Sequence, residues 1–260
     1  MTEWHPLRSS KKEGTDTWQS LNEAAEKRAR NSSTALVPNL DHLNMDDYAK
    51  LYEPADDTFL LIDGILYDNS HGDELQSTTT KQVLEIGCGS GVPIVFLGKL
   101  LQEEQNAIPY CIATDINSDA LHAAQKTAKE NGLVLFEAVQ CDLASSFLTR
   151  CERAIDVIIF NPPYVPTPDE EVSGNGIEAS WAGGLNGRRV IDRAIPQIAK
   201  LLSRPRGICY LITVDDNKPE EMAILFQSFG LEMKPILRRR AFNEYLTVQK
   251  LTWISTTNAT

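Results

Sequence analysis

Residues 81–91, KQVLEIGCGSG, decide the fold class of this chain. Residues 81–86 form a short apolar run that is typical of a buried strand, and residues 92–101 are apolar all round, as in a buried helix. The three glycines between them permit the positive φ of a tight turn and let the backbone approach a ligand closely. This pattern predicts the first strand, turn and helix of an α/β fold that binds a nucleotide-like ligand.

The rest of the chain alternates between strand-like and helix-like segments. We predict further strands at residues 110–114, 134–140, 155–160 and 207–213, further helices at 118–131, 187–202 and 219–229, and two closing strands at 232–237 and 244–253 around a basic turn. Strands separated by such helices pair in parallel through right-handed crossovers, whereas the two closing strands are near enough for a hairpin. The predicted fold is α/β: a doubly wound, mostly parallel seven-stranded sheet with an antiparallel terminal hairpin.

Residues 1–44 differ in composition from the rest of the chain. They are polar and carry six acidic and six basic side chains, so the net charge of -11 belongs entirely to residues 45–260. Because few apolar residues could anchor them, we predict a mobile N-terminal extension over residues 1–44 and one domain over residues 45–260. So acidic a domain repels phosphate backbones, and we expect no direct binding to duplex nucleic acid.

Several classes of protein are excluded by composition. No apolar run approaches the roughly 20 residues that cross a bilayer, and the first ten residues lack the apolar stretch of a secretory signal. The five cysteines show no CxxC spacing and the four histidines are isolated, which predicts free thiols and no metal site. We expect no membrane association and a cytoplasmic location, with the nucleus open as a second compartment.

Two aspartates follow the next two predicted strands. Asp115 ends the second strand, where its carboxylate could accept both hydroxyls of a ribose. Asp142 follows the third strand and could reach an adenine amino group. Parallel strands bring their carboxyl ends to one edge of a sheet, so these side chains and the glycine turn predict one cofactor site. The turn alone would suit NAD, a flavin or S-adenosylmethionine equally.

The end of the fourth strand distinguishes between these cofactors. Asn161, Pro162, Pro163 and Tyr164 form an NPPY tetrapeptide that resembles the signature of amino-group methyltransferases, which use S-adenosyl-L-methionine. A planar NH2 group is a poor nucleophile, because its lone pair is delocalised. The Asn161 side-chain oxygen and the Pro162 carbonyl can accept its two N–H bonds and aim the nitrogen at a methyl donor. Tyr164 can stack on the planar group, and the prolines hold the loop still.

Two further stretches narrow the family. Residues 52–61, YEPADDTFLL, and residues 178–187, EASWAGGLNG, together with residues 161–168, NPPYVPTP, closely resemble the HemK-like glutamine methyltransferases of eukaryotes and archaea. The resemblance covers residues 48–253. It implies a Rossmann-like methyltransferase fold that methylates the side-chain amide nitrogen of the glutamine in the GGQ loop of the class I peptide-release factor.

The resemblance also implies a role for each residue of the site. Thr58 would touch the amino-acid end of the cofactor, and Asn161 would bind the target amide with Pro162, Pro163 and Tyr164 around it. The remaining cofactor contacts would be Glu85, Gly87 and Gly89 along the pocket, Asp115 at the ribose, and Asp142 with Leu143 at the adenine. Asn161 would contact the cofactor as well as the target amide.

A partner protein is implied as well. The resemblance implies a small zinc-binding activator protein as a heterodimer partner, since the family uses one. In the family's strand order the third strand lies at the edge of the sheet, and residues 133–139 are strongly β-forming. An apolar edge strand invites pairing with another chain. We therefore predict that the activator adds a strand at residues 133–140.

Other functions use the same tetrapeptide and stay open at this point. An exocyclic amine of DNA or RNA would require a basic groove, but Arg238–Arg240 with Lys234 is the main basic cluster. A lysine of another protein would require a base to deprotonate its ammonium group. A non-catalytic adaptor would have no use for Asn161, and an NAD dehydrogenase would leave the NPPY tetrapeptide unexplained.

Overall fold

The computed structural model describes residues 36–71, 75, 82–105, 108–172, 177–241 and 244–255. Its strands are β1 (Gln82–Ile86), β2 (Tyr110–Asp115), β3 (Phe136–Gln140), β4 (Val157–Phe160), β5 (Ile208–Val214), β6 (Leu231–Ala241) and β7 (Glu244–Trp253). They form a seven-stranded sheet in the order β3-β2-β1-β4-β5-β7-β6. The first five strands are parallel, and β7 is antiparallel to both β5 and β6. The predicted doubly wound sheet with a terminal hairpin is confirmed.

Helices cover both faces of the sheet. They are α1 (Met45–Tyr48), α2 (Asp56–His71), α3 (Val92–Gln105), α4 (Ser118–Glu130), α5 (Asp169–Val172), α6 (Arg189–Leu201) and α7 (Pro219–Ser228). One large cluster of buried apolar residues draws on α2, α3 and α4, and a second draws on α6 and α7. The strands contribute alternate residues to the two clusters, as a sheet that is buried on both faces requires. Among the described residues, no helix has both the length and the apolar character needed to cross a membrane.

The basic turn predicted between the last two strands is wrong. Strand β6 continues to Ala241, so Arg238 and Arg239 lie within it rather than in a turn. The guanidinium of Arg238 pairs with Asp215 and lies over the ring of Tyr245, and that of Arg239 pairs with Asp63. Opposite charges and an aromatic face therefore accommodate the arginines, and the hairpin extends past them.

The predicted mobile extension does not hold for residues 36–44. Leu36 and Leu43 are buried, and the His42 imidazole lies 2.9 Å from the hydroxyl of Thr127 on α4. The backbone N–H of Asn39 donates to the side chain of Asn131 at 2.8 Å. This stretch packs against the helix α4 and belongs to the domain. The remainder of the predicted extension, residues 1–35, lies outside the described residues.

An ion pair is buried between helix α2 and the sheet. The ammonium of Lys250 donates to Asp68 at 2.7 Å, and the hydroxyl of Tyr210 donates to the other oxygen of the same carboxylate at 2.6 Å. Lys250 is 9% exposed and Asp68 is 6% exposed. Since Tyr210 and Lys250 are cross-strand partners on β5 and β7, one carboxylate fixes α2 over both strands.

We predict that Lys250→Met lowers the free energy of unfolding by about 3–5 kcal/mol, because it leaves the Asp68 carboxylate buried without its cation. Urea denaturation followed by circular dichroism measures the change. The matched control is Lys50→Met, which removes the exposed cation of the Lys50–Asp119 pair and should change the free energy by about 0.5 kcal/mol or less. Equal effects of the two substitutions would contradict the structural role of the buried pair.

Candidate active site

A cavity of about 660 Å³ lies at the carboxyl ends of the parallel strands. Its walls contain most of the residues that the sequence predicted for the site: Thr58, Glu85, Gly87, Gly89, Asp115, Asp142, Leu143, Asn161, Pro162 and Pro163. Tyr164 does not line it. Because the strands β1, β2 and β4 are adjacent and parallel, side chains from distant parts of the sequence meet at this one edge, as open α/β sheets favour.

The glycine turn holds the carboxylate of Asp115. Gly87 and Gly89 have φ values of 65° and 51°, in the left-handed region that favours glycine. This conformation directs the N–H of Gly89 to Asp115 at 3.0 Å, while the N–H of Asn117 donates to the other oxygen at 2.9 Å. Burial raises the pKa of Asp115, and these backbone donors counteract the effect. The carboxylate is thus fixed at the cavity wall, where its remaining lone pairs can accept hydroxyl groups.

A second acid lies deeper at the end of β1. Glu85 is 1% exposed and accepts a hydrogen bond from the N–H of Ile94 at 3.2 Å. Burial raises the pKa of Glu85 well above its ordinary value, and the negative charge of Asp115 adds to the effect. A cationic ligand in the cavity would offset the cost of holding these two acids close together. This charge pattern fits the positively charged sulfonium and amino groups of S-adenosylmethionine.

The adenine end of the predicted site contains a residue that the sequence did not indicate. Asp142 forms an ion pair with Arg193 of α6, and both side chains line the cavity. Leu143 has a left-handed φ of 53°, a conformation that costs a non-glycine residue roughly 1–2 kcal/mol. The contact of Asp142 and Leu143 with adenine stays a prediction, and Arg193 is a further neighbour of that position.

Asn161 has its two ends in different environments. Its Nδ2 donates to Asp57 Oδ2 at 3.1 Å, whereas its Oδ1 is buried and makes no hydrogen bond. The hydroxyl of Tyr164 donates to the same oxygen of Asp57 at 3.2 Å, and its ring packs against the hydrophobic core. Tyr164 therefore lies behind Asn161 rather than over the cavity, and its predicted stacking on a substrate stays a prediction. Tyr52 does line the cavity, and burial and the nearby charge of Asp57 raise its pKa.

The NPPY loop is tied to the loop that follows it. Asn217, fully buried after β5, donates from Nδ2 to the carbonyls of Tyr164, Asn186 and Gly187 at 2.9, 3.0 and 3.2 Å. A Cβ at Gly187 would lie 1.8 Å from the Tyr164 carbonyl oxygen, so only glycine fits there. Gly187 belongs to residues 178–187, a stretch that the sequence analysis used to identify the family. No local pattern in the sequence indicates Asn217, because its contacts form only in the folded chain.

The described residues contain no group of three or more His, Cys, Asp or Glu side chains arranged to hold a metal ion. Cavity and loops together provide carboxylates, backbone donors and one unpaired amide oxygen. Such a set can bind a cationic cofactor and a group with N–H donors.

Comparisons with known proteins agree with this geometry. The family model described as "Methyltransferase small domain" matches residues 72–174. The chain is 41% identical over 211 residues to "Methyltransferase HEMK2" of Homo sapiens, covering 81% of this chain and 94% of that protein. It is 31% identical to "eRF1 methyltransferase catalytic subunit mtq2" of Schizosaccharomyces pombe, covering 85% and 97%. Among solved structures, the chain is similar to the E. cuniculi Mtq2–Trm112 complex, which is described as responsible for the methylation of the eRF1 termination factor. The TM-score is 0.55 at 25% identity, and the match covers 78% of this chain and 99% of that one.

We predict that Asp115→Asn weakens the binding of S-adenosylmethionine by about 1.5–3 kcal/mol, or roughly 10- to 160-fold, because hydrogen bonds to a charged group are lost. Isothermal titration calorimetry measures the affinity. Glu130→Gln, an equal change of charge at the exposed end of α4, is the control and should leave the affinity unchanged. An Asp115→Asn affinity equal to that of the control would contradict the predicted contact of Asp115 with the ribose.

Proposed function

This chain belongs to the HemK-like protein-glutamine methyltransferases, and we propose that it methylates the side-chain amide nitrogen of the glutamine in the GGQ loop of the class I peptide-release factor. The observation that carries the proposal is the buried, unpaired Oδ1 of Asn161. A buried acceptor without a partner costs about 1–3 kcal/mol, and an N–H donor from a ligand would remove that cost. The NH2 group of a glutamine amide is such a donor.

The residues at the site fit the cofactor of this family, S-adenosylmethionine. The buried acid Glu85 and the half-buried acid Asp115 lie beside the glycine turn, which suits a cation with a ribose. When bound, the cofactor supplies an electrophilic methyl group on its sulfonium sulfur. Thr58, at the start of α2, would hold its amino-acid end. These contacts are the ones that the family resemblance implies.

The chain's own contribution to the reaction is the positioning of the target nitrogen. Asn161 Oδ1 and the Pro162 carbonyl would each accept one N–H of the glutamine amide, which holds its plane in a fixed orientation. Charge that develops on the nitrogen during transfer is then shared with two acceptors already in place. No nucleophile of the enzyme is required, so we propose direct transfer of the methyl group without a covalent intermediate. The amide nitrogen would gain the methyl group and release one proton to solvent, while the sulfonium would become a neutral thioether.

The charge of the domain supports a protein substrate. Asp169 and Glu170 of α5 and the later Glu178 are exposed in the segment that follows Asn161, and acidic groups there would repel the phosphates of DNA or RNA. The names of two relatives point the same way, since both the S. pombe and the E. cuniculi proteins are described as methylating eRF1. A translation factor as substrate also supports the proposed cytoplasmic location.

Mass spectrometry of the release factor tests the proposed function. After incubation with enzyme, activator and S-adenosylmethionine, we expect one added methyl group on the GGQ glutamine. Asn161→Ala should lower turnover by about 2.7–4 kcal/mol, or roughly 100- to 1000-fold, since one preorganised acceptor is lost. Cofactor affinity measured by calorimetry should change little. Undiminished turnover of Asn161→Ala, or methylation of a different residue by the parent enzyme, would contradict the proposal.

We propose further that a small zinc-binding activator pairs with the edge strand β3. The E. cuniculi relative was solved as a complex with a second protein, Trm112. At this edge Val134 is 68% exposed and Leu135 is 43% exposed, and they form an apolar surface beside the outer edge of β3. The N–H of Cys111 donates to Leu135 and that of Cys141 to Asp115, so the alternate residues 136, 138 and 140 direct their backbone groups away from β2. These groups are available to a partner strand.

We predict that Ala138→Pro prevents this association, because proline removes an outward N–H of β3 without removing a bond to β2. Ala138→Val, which keeps the N–H, is the matched control and should still bind. Size-exclusion chromatography with purified activator measures complex formation, and a thermal melt of the free enzyme checks that the fold is kept. A stable complex of the proline variant would place the partner elsewhere.

A further inference from the structure

We propose that Asp57 is a positioning residue, whose carboxylate fixes which end of the Asn161 side-chain amide faces the substrate. This inference rests on the proposed function, since it concerns the same target nitrogen. Asp57 would then have a role in the reaction in addition to its place at the N-terminus of α2.

Asp57 lies at the centre of a hydrogen-bond cluster. It is 4% exposed in the first turn of α2. Its Oδ1 accepts from the N–H of Thr58 at 2.6 Å and lies 3.2 Å from the Thr58 hydroxyl. Its Oδ2 accepts from Asn161 Nδ2 at 3.1 Å and from the Tyr164 hydroxyl at 3.2 Å. These partners are all capable of donating, as an ionised carboxylate requires.

The chemistry of the two groups decides the orientation of the amide. An asparagine side chain has nearly the same shape after a 180° rotation, which exchanges its donor and acceptor ends. A carboxylate can only accept, so the NH2 end of Asn161 must face Asp57. The acceptor end then points the other way, and this is the buried oxygen without a partner. In the reverse orientation the NH2 of Asn161 would oppose the NH2 of the substrate, and two donors cannot bind each other.

The neighbouring acid provides a matched comparison. Asp56 lies one residue earlier in the same helical turn and is exposed, whereas Asp57 is buried against Asn161. Both contribute the same charge to the N-terminus of α2, where negative groups favour the helix. Substitution of either acid would therefore weaken the helix N-terminus equally, but only substitution of Asp57 would change the hydrogen bonding of Asn161.

The first experiment compares Asp57→Asn with Asp56→Asn in the methylation assay with activator and release factor. The amide introduced by Asp57→Asn can donate to Asn161 and so permits the Asn161 amide to rotate, and we expect kcat to fall roughly 10- to 100-fold. The Kd for S-adenosylmethionine is measured in parallel, so that kcat is compared at saturating cofactor and reports the transfer step. Asp56→Asn should keep kcat within about twofold. Equal kcat values for the two variants would overturn the proposal.

A second variant separates orientation from loss of folding. Asn161→Asp places two carboxylates against each other and should be nearly inactive. In the double variant Asp57→Asn/Asn161→Asp, the amide at position 57 can donate to one oxygen at position 161 and leave the other oxygen facing the cavity. We expect the double variant to be roughly 10-fold more active than Asn161→Asp alone. A double variant no more active than Asn161→Asp would overturn the proposal.

A third measurement requires no substrate. NMR spectra of enzyme with 15N-labelled asparagine show the side-chain NH2 signals, and those of Asn161 are assigned by their loss in Asn161→Ala. We expect these signals to shift in Asp57→Asn and to stay in place in Asp56→Asn. Unchanged signals in Asp57→Asn would overturn the proposal. An enzyme that leaves the release factor unmethylated but shows this shift would contradict the proposed function and retain the role of Asp57.

Discussion

The hydrogen bond between Asn161 and Asp57 joins the two parts of the chain on which the site depends. Asn161 follows β4 directly, and Asp57 lies in the first turn of α2, 104 residues earlier. The buried pair Lys250–Asp68 holds the same helix over β5 and β7. Helix α2 therefore connects the packing of the sheet to the orientation of one amide, and a displacement of α2 would be transmitted to the position where the substrate binds.

Charge is distributed in this domain according to function. The net charge of -11 lies in residues 45–260, and two of its acids lie at the cavity wall, where Glu85 is buried and Asp115 is half-buried. A buried negative charge is costly in an apolar interior and becomes favourable when a cation binds beside it. Acids on the surface therefore disfavour nucleic acid, and acids at the cavity wall favour a cationic cofactor.

Sequence reasoning reached the fold and most of the cavity, because the signals for both are local. The strand and glycine turn at residues 81–91 and the polar residues at the strand ends predict the sheet and the cofactor edge without knowledge of distant contacts. Interactions between residues far apart in the sequence leave no local pattern, so the sequence could not predict them. The Asn217 clamp on the NPPY loop and the pairing of Asp142 with Arg193 exist only in the folded chain. The tetrapeptide predicts Tyr164 over the substrate, but its hydroxyl is held by Asp57.

The central claim is that the acceptor end of Asn161 meets the target nitrogen. A crystal structure of the enzyme and activator with S-adenosylhomocysteine and a GGQ peptide measures this contact directly. The account predicts that the glutamine Nε2 lies roughly 2.7–3.2 Å from Asn161 Oδ1, while Asn161 Nδ2 stays on Asp57. A glutamine nitrogen bound elsewhere in the cavity, or an Asn161 whose NH2 faces the glutamine carbonyl, would contradict it.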